Sequence, residues 1–456
     1  MTYRVQRARM RGILDSRGRV APEAELRLAG GAVGTASCPR AIAAGRRELA
    51  LSPALEIGTL SAADDLTVVL GEIQGASFHT QHEFDALLEG LQAEARAGAD
   101  VALALSLAFA RACAQASGQS LFRYMCGLAN VRPAIPHPLV NVFSGGIHGG
   151  RDQVPFQQIM IVPEYDTIES DIRATLTVYD AIERRAAAEG RIVSYSASSG
   201  LLVGEPYEAL LEQLRQQLQA VGMSANVAIG LDVAAEHLKR PDGRYQFAGR
   251  LITGEELGAI HRDLVGEYPI RFLEDPFDPD DVDLWRSLAT AVAGRAWVIG
   301  DDLFATNVDH IAGGLASGIL LKMNQIGTLT GTLRAAEAAR NAGMILCVSH
   351  RSGETEDTAM CDLAVALGAR FIKIGGPRRG DRTAKYNQLL RLAEELRGLT
   401  GAPSSGRSEA GKPRGSAMDD VGSGVSRGTP ADIGNVAPAP AVGTSVPELT
   451  AEMAGS

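Results

Sequence analysis

The chain has 456 residues, and its 45% hydrophobic content is enough to bury the core of one large or two smaller domains. A formal net charge of −10 argues against nucleic acid or an acidic membrane as partner, while leaving room for a local basic pocket. No apolar run of the ~18 residues needed for a membrane span stands out, no basic-then-apolar leader opens the chain, and the five scattered cysteines suit reduced core thiols, so a cytoplasmic protein without disulfides is expected.

In chain order, residues 3–37 carry two alternating segments, VQRARMRGIL and EAELRLAGGAVGTA, split by the turn-rich LDSRGR; they predict an antiparallel meander. From Gln81 the pattern turns helical, through QHEFDALLEGL and on to ADVALALSLAFARACAQASG, whose small residues permit close helix packing. Strands followed by helices predict an α+β first domain over residues 1–131. VRPAIPHP is a proline-punctuated joint. Beyond it HPLVNVF and FQQIMIVP read as strands and the next two stretches as helices. Strand and helix patterns then alternate as far as AKYNQLLRLAEELRG, which makes residues 132–399 a second domain. Residues 400–456 are rich in Gly, Ser, Pro and Ala and bury too little to offset their ordering entropy; a disordered tail is expected.

Within the second domain, successive apolar runs each stop at a residue capable of chemistry. NVAIGLDVAAE ends on Asp232, PIRFLEDPF on Glu274, AWVIGDDL on Asp301 and Asp302, GILLKMNQ on Lys322, MILCVSHRSGE on His350 and Arg351, and ARFIKIGG on Lys373. One polar residue after an apolar run is ordinarily a strand terminator. Six runs in succession ending this way fit an α/β barrel of parallel strands, whose C-terminal strand ends converge on one face. Three carboxylates from neighbouring strand ends, Asp232, Glu274 and Asp301, make an all-oxygen site suited to Mg2+.

Several blocks resemble enolase over nearly all of residues 3–398: LDSRGR, GADVALALSLAFARACA, LEDPFDPDD, GDDLFATN, LLKMNQIG, VSHRSGETEDT and AKYNQLLRLAEEL. The resemblance implies an N-terminal α+β cap on an enolase-type modified (β/α)8 TIM barrel, a homodimer, Mg2+ as cofactor and a small phosphorylated carboxylate as substrate. It assigns Lys322 as the base, with a pKa expected to be lowered by burial near Mg2+ and another cation, leaving a neutral amine. Lys373 would hold the metal-bound carboxylate of the substrate. His350, Arg351 and Ser352 would form the phosphate end, and His148 in SGGIHGG would be the loop histidine. Asp302 and Gln158 are grouped with the substrate-binding residues.

The chain departs from the family on the other side of the site. PRAIAAG stands where enolases have PSGASTG, so Ala43 replaces the serine that supports a second Mg2+. QQIMI replaces QEFMI, so Gln158 stands for a glutamate and cannot shuttle a proton. SASSGLLVG replaces the GDEGGFAP loop, and Ser198 falls about where the general acid belongs. This pattern favours an altered reaction on a phosphoglycerate- or phosphoenolpyruvate-like carboxylate. The expectation is an enzyme resembling carboxyphosphonoenolpyruvate synthase of phosphonate (phosphinothricin-type) antibiotic biosynthesis. The alternatives are phosphopyruvate hydratase, which converts 2-phosphoglycerate to phosphoenolpyruvate, and a non-catalytic binding protein.

Overall fold

The computed structural model describes residues 1–41, 45–52, 56–59, 64–146, 154–190, 193–202 and 204–400. The predicted tail, Ala43 and His148 lie outside them.

The expected meander is present. Strands β1 (Tyr3–Leu14), β2 (Val20–Leu28) and β3 (Val33–Ser37) pair antiparallel in the order β3-β2-β1, with the short β4 (Gly58–Thr59) and β5 (Ser77–Phe78) added on β1. Helices α1 (Asp64–Ile73), α2 (Gln81–Ala93), α3 (Ala99–Ala116) and α4 (Leu121–Ala129) complete the N-terminal part. The small residues of α3 set how closely it lies on the sheet: a Cβ added to Gly34 in β3 would stand 1.9 Å from the Ala108 carbonyl oxygen. Helix α3 is long and apolar enough to cross a membrane, which the sequence reading did not anticipate, but 83% of it is buried inside the protein, so it is a core helix.

The second part is a closed barrel. Eight strands run β6 (His137–Ser144), β7 (Gln158–Pro163), β9 (Val227–Asp232), β12 (Ile270–Glu274), β13 (Trp297–Gly300), β14 (Gly318–Leu321), β15 (Ile345–Ser349) and β16 (Phe371–Lys373). Pairing of β16 with β6 closes the ring. The remaining short strands lie off it: β8 (Leu201–Leu202) pairs with β6, and β10 (Tyr245–Phe247) with β11 (Arg250–Ile252) forms a hairpin. Only β7 runs antiparallel to both neighbours. The two helices expected after β7 are α5 (Ile168–Ala188) and α6 (Tyr207–Ala220), so the barrel opens strand-strand-helix-helix before regular alternation begins. Leu139, Met160, Val162, Phe272, Ile299, Leu320, Cys347 and Phe371 fill its interior. This plug makes it a packed core with a mouth at one end.

Candidate active site at the barrel mouth

The strand register brings the predicted residues to one end. Glu274 pairs in register with Asp232, and Lys373 with Ser349, whose successors are His350 and Arg351. Gln158 reaches the same end for the opposite reason: β7 is reversed, so its first residue lies beside Asp232. A cavity there is lined by Asp232, Asp301, Asp302, Lys322, His350, Arg351, Ser352, Lys373, Gln158 and Ser198. Glu274 is 1% exposed and reaches the cavity through Lys373.

Charge pairing organises this mouth. The Lys373 ammonium, 3% exposed, donates to Asp232 Oδ2 and to Glu274 Oε2, each at 2.7 Å. Lys322 donates to Asp301 Oδ2, and the other Asp301 oxygen accepts from Gln325 Nε2 at 3.1 Å. Burial and the neighbouring Asp232 push the Glu274 carboxyl up, against the pull of Lys373. Burial and Asp301 push Asp302 up to about 7. Burial would also raise Asp301, but the Lys322 ammonium overcomes it and holds Asp301 below the usual range.

With no metal ion at the mouth, the carboxylates around Lys322 decide its charge. Burial acts to lower its pKa, yet Asp301, Asp302 and Glu274 together hold it above the ordinary lysine value. The neutral amine expected from the resemblance depends on Mg2+ beside these carboxylates, which would draw them off Lys322.

His350 is buried and neutral. Burial and the Arg382 guanidinium hold its pKa well below the usual value, and Arg382 donates to its Nδ1. Nε2 is left carrying the ring proton, as a donor. Arg351 donates through Nη2 to both oxygens of Glu48 at 2.9 Å, and among the described residues its Nη1 is buried without a partner.

Several contributors gave no signal in the sequence. Asp275 (φ +42°) accepts from the backbone N–H groups of Asp301 at 2.8 Å and Asp302 at 2.9 Å, fixing the turn that presents them. Glu48 and Arg382 come from remote segments, Gln325 ends the GILLKMNQ run that carries Lys322, and no spacing rule marks any of them. The serine loop is tied down: the Ser198 carbonyl accepts from Gly376 N at 3.0 Å, and Ser199 Oγ donates to the Arg378 carbonyl at 2.7 Å. Glycine at 375 (φ +75°) lets this loop approach, since a Cβ there would lie 2.7 Å from the Ser198 carbonyl oxygen.

The donor set fits a hard divalent cation. Buried carboxylates crowd the mouth, and the upward push on Glu274 and Asp302 marks negative charge that the two lysines leave uncompensated. Among the described residues, the set of three whose oxygens lie within 4.8 Å of one another is Asp275, Asp301 and Asp302. Asp275 already serves two backbone amides, while Asp232 and Glu274 are drawn onto Lys373.

The family model described as "Enolase, C-terminal TIM barrel domain" matches residues 132–410, and "Enolase, N-terminal domain" matches residues 5–125. The chain belongs to the enolase family. It is 36% identical to a protein named enolase from Aeropyrum pernix over 430 residues, covering 85% of this chain and 96% of the relative. An enolase from Methanopyrus kandleri is 36% identical over 422 residues (87% and 96% covered), and one from Nitratiruptor sp. is 34% identical over 410 residues (84% and 95%). Family membership supports a metal-binding lyase.

Proposed function

We propose that this enolase-family member is a Mg2+-dependent lyase that removes the α-proton of a phosphorylated hydroxycarboxylate. Its leading substrate pair is 2-phosphoglycerate and phosphoenolpyruvate. The observation that carries the reading is one cavity lined by Lys322, Lys373, Arg351, Asp232 and Asp301, with Glu274 bonded to Lys373. The relatives named enolase favour this substrate pair over the phosphonate-pathway reading. The resemblance further suggests a homodimer in the cytoplasm.

In this reading Asp232, Glu274 and Asp301 hold Mg2+, which when bound supplies Lewis-acid stabilisation of the enolate. Lys322 takes the α-proton at Nζ, so its amine must be neutral when it acts, and the contact with Asp301 must be relieved first. Lys373 pairs with the substrate carboxylate, His350 donates from Nε2, and Arg351 and Ser352 receive the phosphate.

One observation keeps a second reading alive. Gln158 and Ser198, the residues standing for the family's acid-side glutamates, are neutral and line the cavity. Without a general acid, loss of hydroxide should be slower than in ordinary enolases by about 10³-fold. Chemistry of the carboxyphosphonoenolpyruvate synthase kind would escape that requirement. Two measurements on the Mg2+-loaded protein separate the readings: exchange of the α-proton of 2-phosphoglycerate with deuterium by NMR, and phosphoenolpyruvate formation by absorbance. Product at ordinary rates supports the hydratase and defeats the argument from Gln158 and Ser198. Exchange without product favours altered chemistry. Neither signal overturns both.

A further inference from the structure

Glu48 has no role in the reading above, yet its carboxylate is bonded to the Arg351 guanidinium. Both side chains are nearly inaccessible, at 3% and 4% exposed. Both Glu48 oxygens accept from Arg351 Nη2 at 2.9 Å, and Oε1 also accepts from Gly45 N at 3.0 Å. The carboxylate thus holds one edge of the guanidinium, while among the described residues Arg351 Nη1 is buried with no partner. A buried N–H of a charged group is costly to leave unpaired, and the residue lines the cavity. The unpaired edge is therefore where an acceptor would be received.

The backbone beneath Glu48 is fixed from both sides. Arg46 reaches Glu236 at 2.5 Å, Asp278 at 2.9 Å and Asp280 at 3.2 Å, all on the barrel. Arg47 donates to the Leu303 carbonyl at 2.8 Å and to Asp280 at 2.7 Å. Leu49 N donates to the Gln325 carbonyl at 3.1 Å, and Gln325 in turn holds Asp301. Arg46 is half-exposed, so its pairs contribute mainly register and are weakened by salt. The Glu48–Arg351 pair is buried and shielded from it.

We propose that Glu48 is the positioning residue of the anion site: it locks the Arg351 fork so that Nη1 faces the oxyanion of a phosphorylated carboxylate. This rests on the reading of Arg351 as the phosphate contact. Two other roles are physically possible for the same contact, and they differ in sign. A carboxylate that competes with the ligand for Arg351 would weaken binding, so its removal would tighten it. A purely structural carboxylate would change stability and leave affinity alone.

The test compares Glu48→Ala, Glu48→Gln, Glu48→Asp and Arg351→Ala in the full chain with Mg2+. It measures binding of 2-phosphoglycerate and of inorganic phosphate by calorimetry, and KM and kcat for α-proton exchange. Positioning predicts about tenfold weaker binding of both ligands in Glu48→Ala, a KM raised in parallel and a much smaller change in kcat. Glu48→Asp should recover part of the loss. If Glu48→Ala fails to fold, Glu48→Gln keeps the shape and one acceptor and should still weaken binding several-fold. Tighter binding in Glu48→Ala overturns positioning in favour of competition. Unchanged binding in both Glu48 variants, with Arg351→Ala weakened, overturns the role of Glu48 alone. Unchanged binding in Arg351→Ala overturns the phosphate reading on which it stands.

Discussion

Replacing Lys373 with methionine removes a cation but little volume, and the structure bounds the cost. The ammonium is 3% exposed and bonded to two carboxylates that are themselves nearly inaccessible. Removing one partner of a buried ion pair typically costs about 3–5 kcal/mol. A loss of about 3–4 kcal/mol is therefore expected at pH 7. Burial and Asp232 already push the wild-type Glu274 carboxyl up to about 8, so below that pH it keeps its proton in both proteins. Through Glu274 the gap should therefore change little between pH 5.5 and 7, and widen as pH rises past about 8, where only the wild type has Lys373 to offset the second charge. Urea unfolding of both proteins with chelator present, at equal concentration and on both sides of that pH, measures it. A gap below about 1 kcal/mol at pH 7, or one that narrows as pH rises past about 8, would refute the reasoning.

His261 offers a second pH test: it is fully buried, its ring meets the Pro276 carbonyl at 3.1 Å, and burial lowers its pKa to about 4. The unfolded chain takes up a proton near pH 6.5 and the folded chain does not, so stability should fall by up to roughly 3 kcal/mol between pH 6.5 and 4; His261→Gln should flatten that part of the urea-midpoint profile. Lys322→Ala should abolish α-proton exchange of 2-phosphoglycerate by NMR while leaving ligand affinity within about tenfold, since a base acts in the transition state more than in ground-state binding. Asp301→Asn should weaken Mg2+ binding by calorimetry at least about tenfold, and wild-type-like affinity would remove Asp301 from the metal set.

The barrel and the residues at its mouth were legible because a buried parallel strand is an apolar run with a defined end, and chemistry sits at that end. Asp232, Glu274, Asp301, Lys322, His350, Arg351 and Lys373 were all read by that rule. Gln158 was found only through the family motif, because on an antiparallel strand the residue at the mouth is the first and not the last. Glu48 and Arg382 carried no signal, since they enter from segments 303 and 32 residues away from the partners they hold. The Lys322–Asp301 contact was not legible either: a strand-end rule says which residues share a face, but not which of them touch.

The neutral side of the site and the charged side are linked through Gln158. Its Nε2 donates to Asp232 Oδ2 at 3.2 Å, and among the described residues its Oε1 is buried without a partner. A glutamate in the same place would set a further carboxylate against Asp232, within reach of the repulsion that already raises Glu274. Such a group is kept protonated by its neighbours, which is the condition a general acid requires. The amide has no such proton to give, and its Nε2 is instead bonded to Asp232. Gln158 thus ties the neutral side of the mouth to the charged side by a hydrogen bond where a glutamate would add a further buried negative charge.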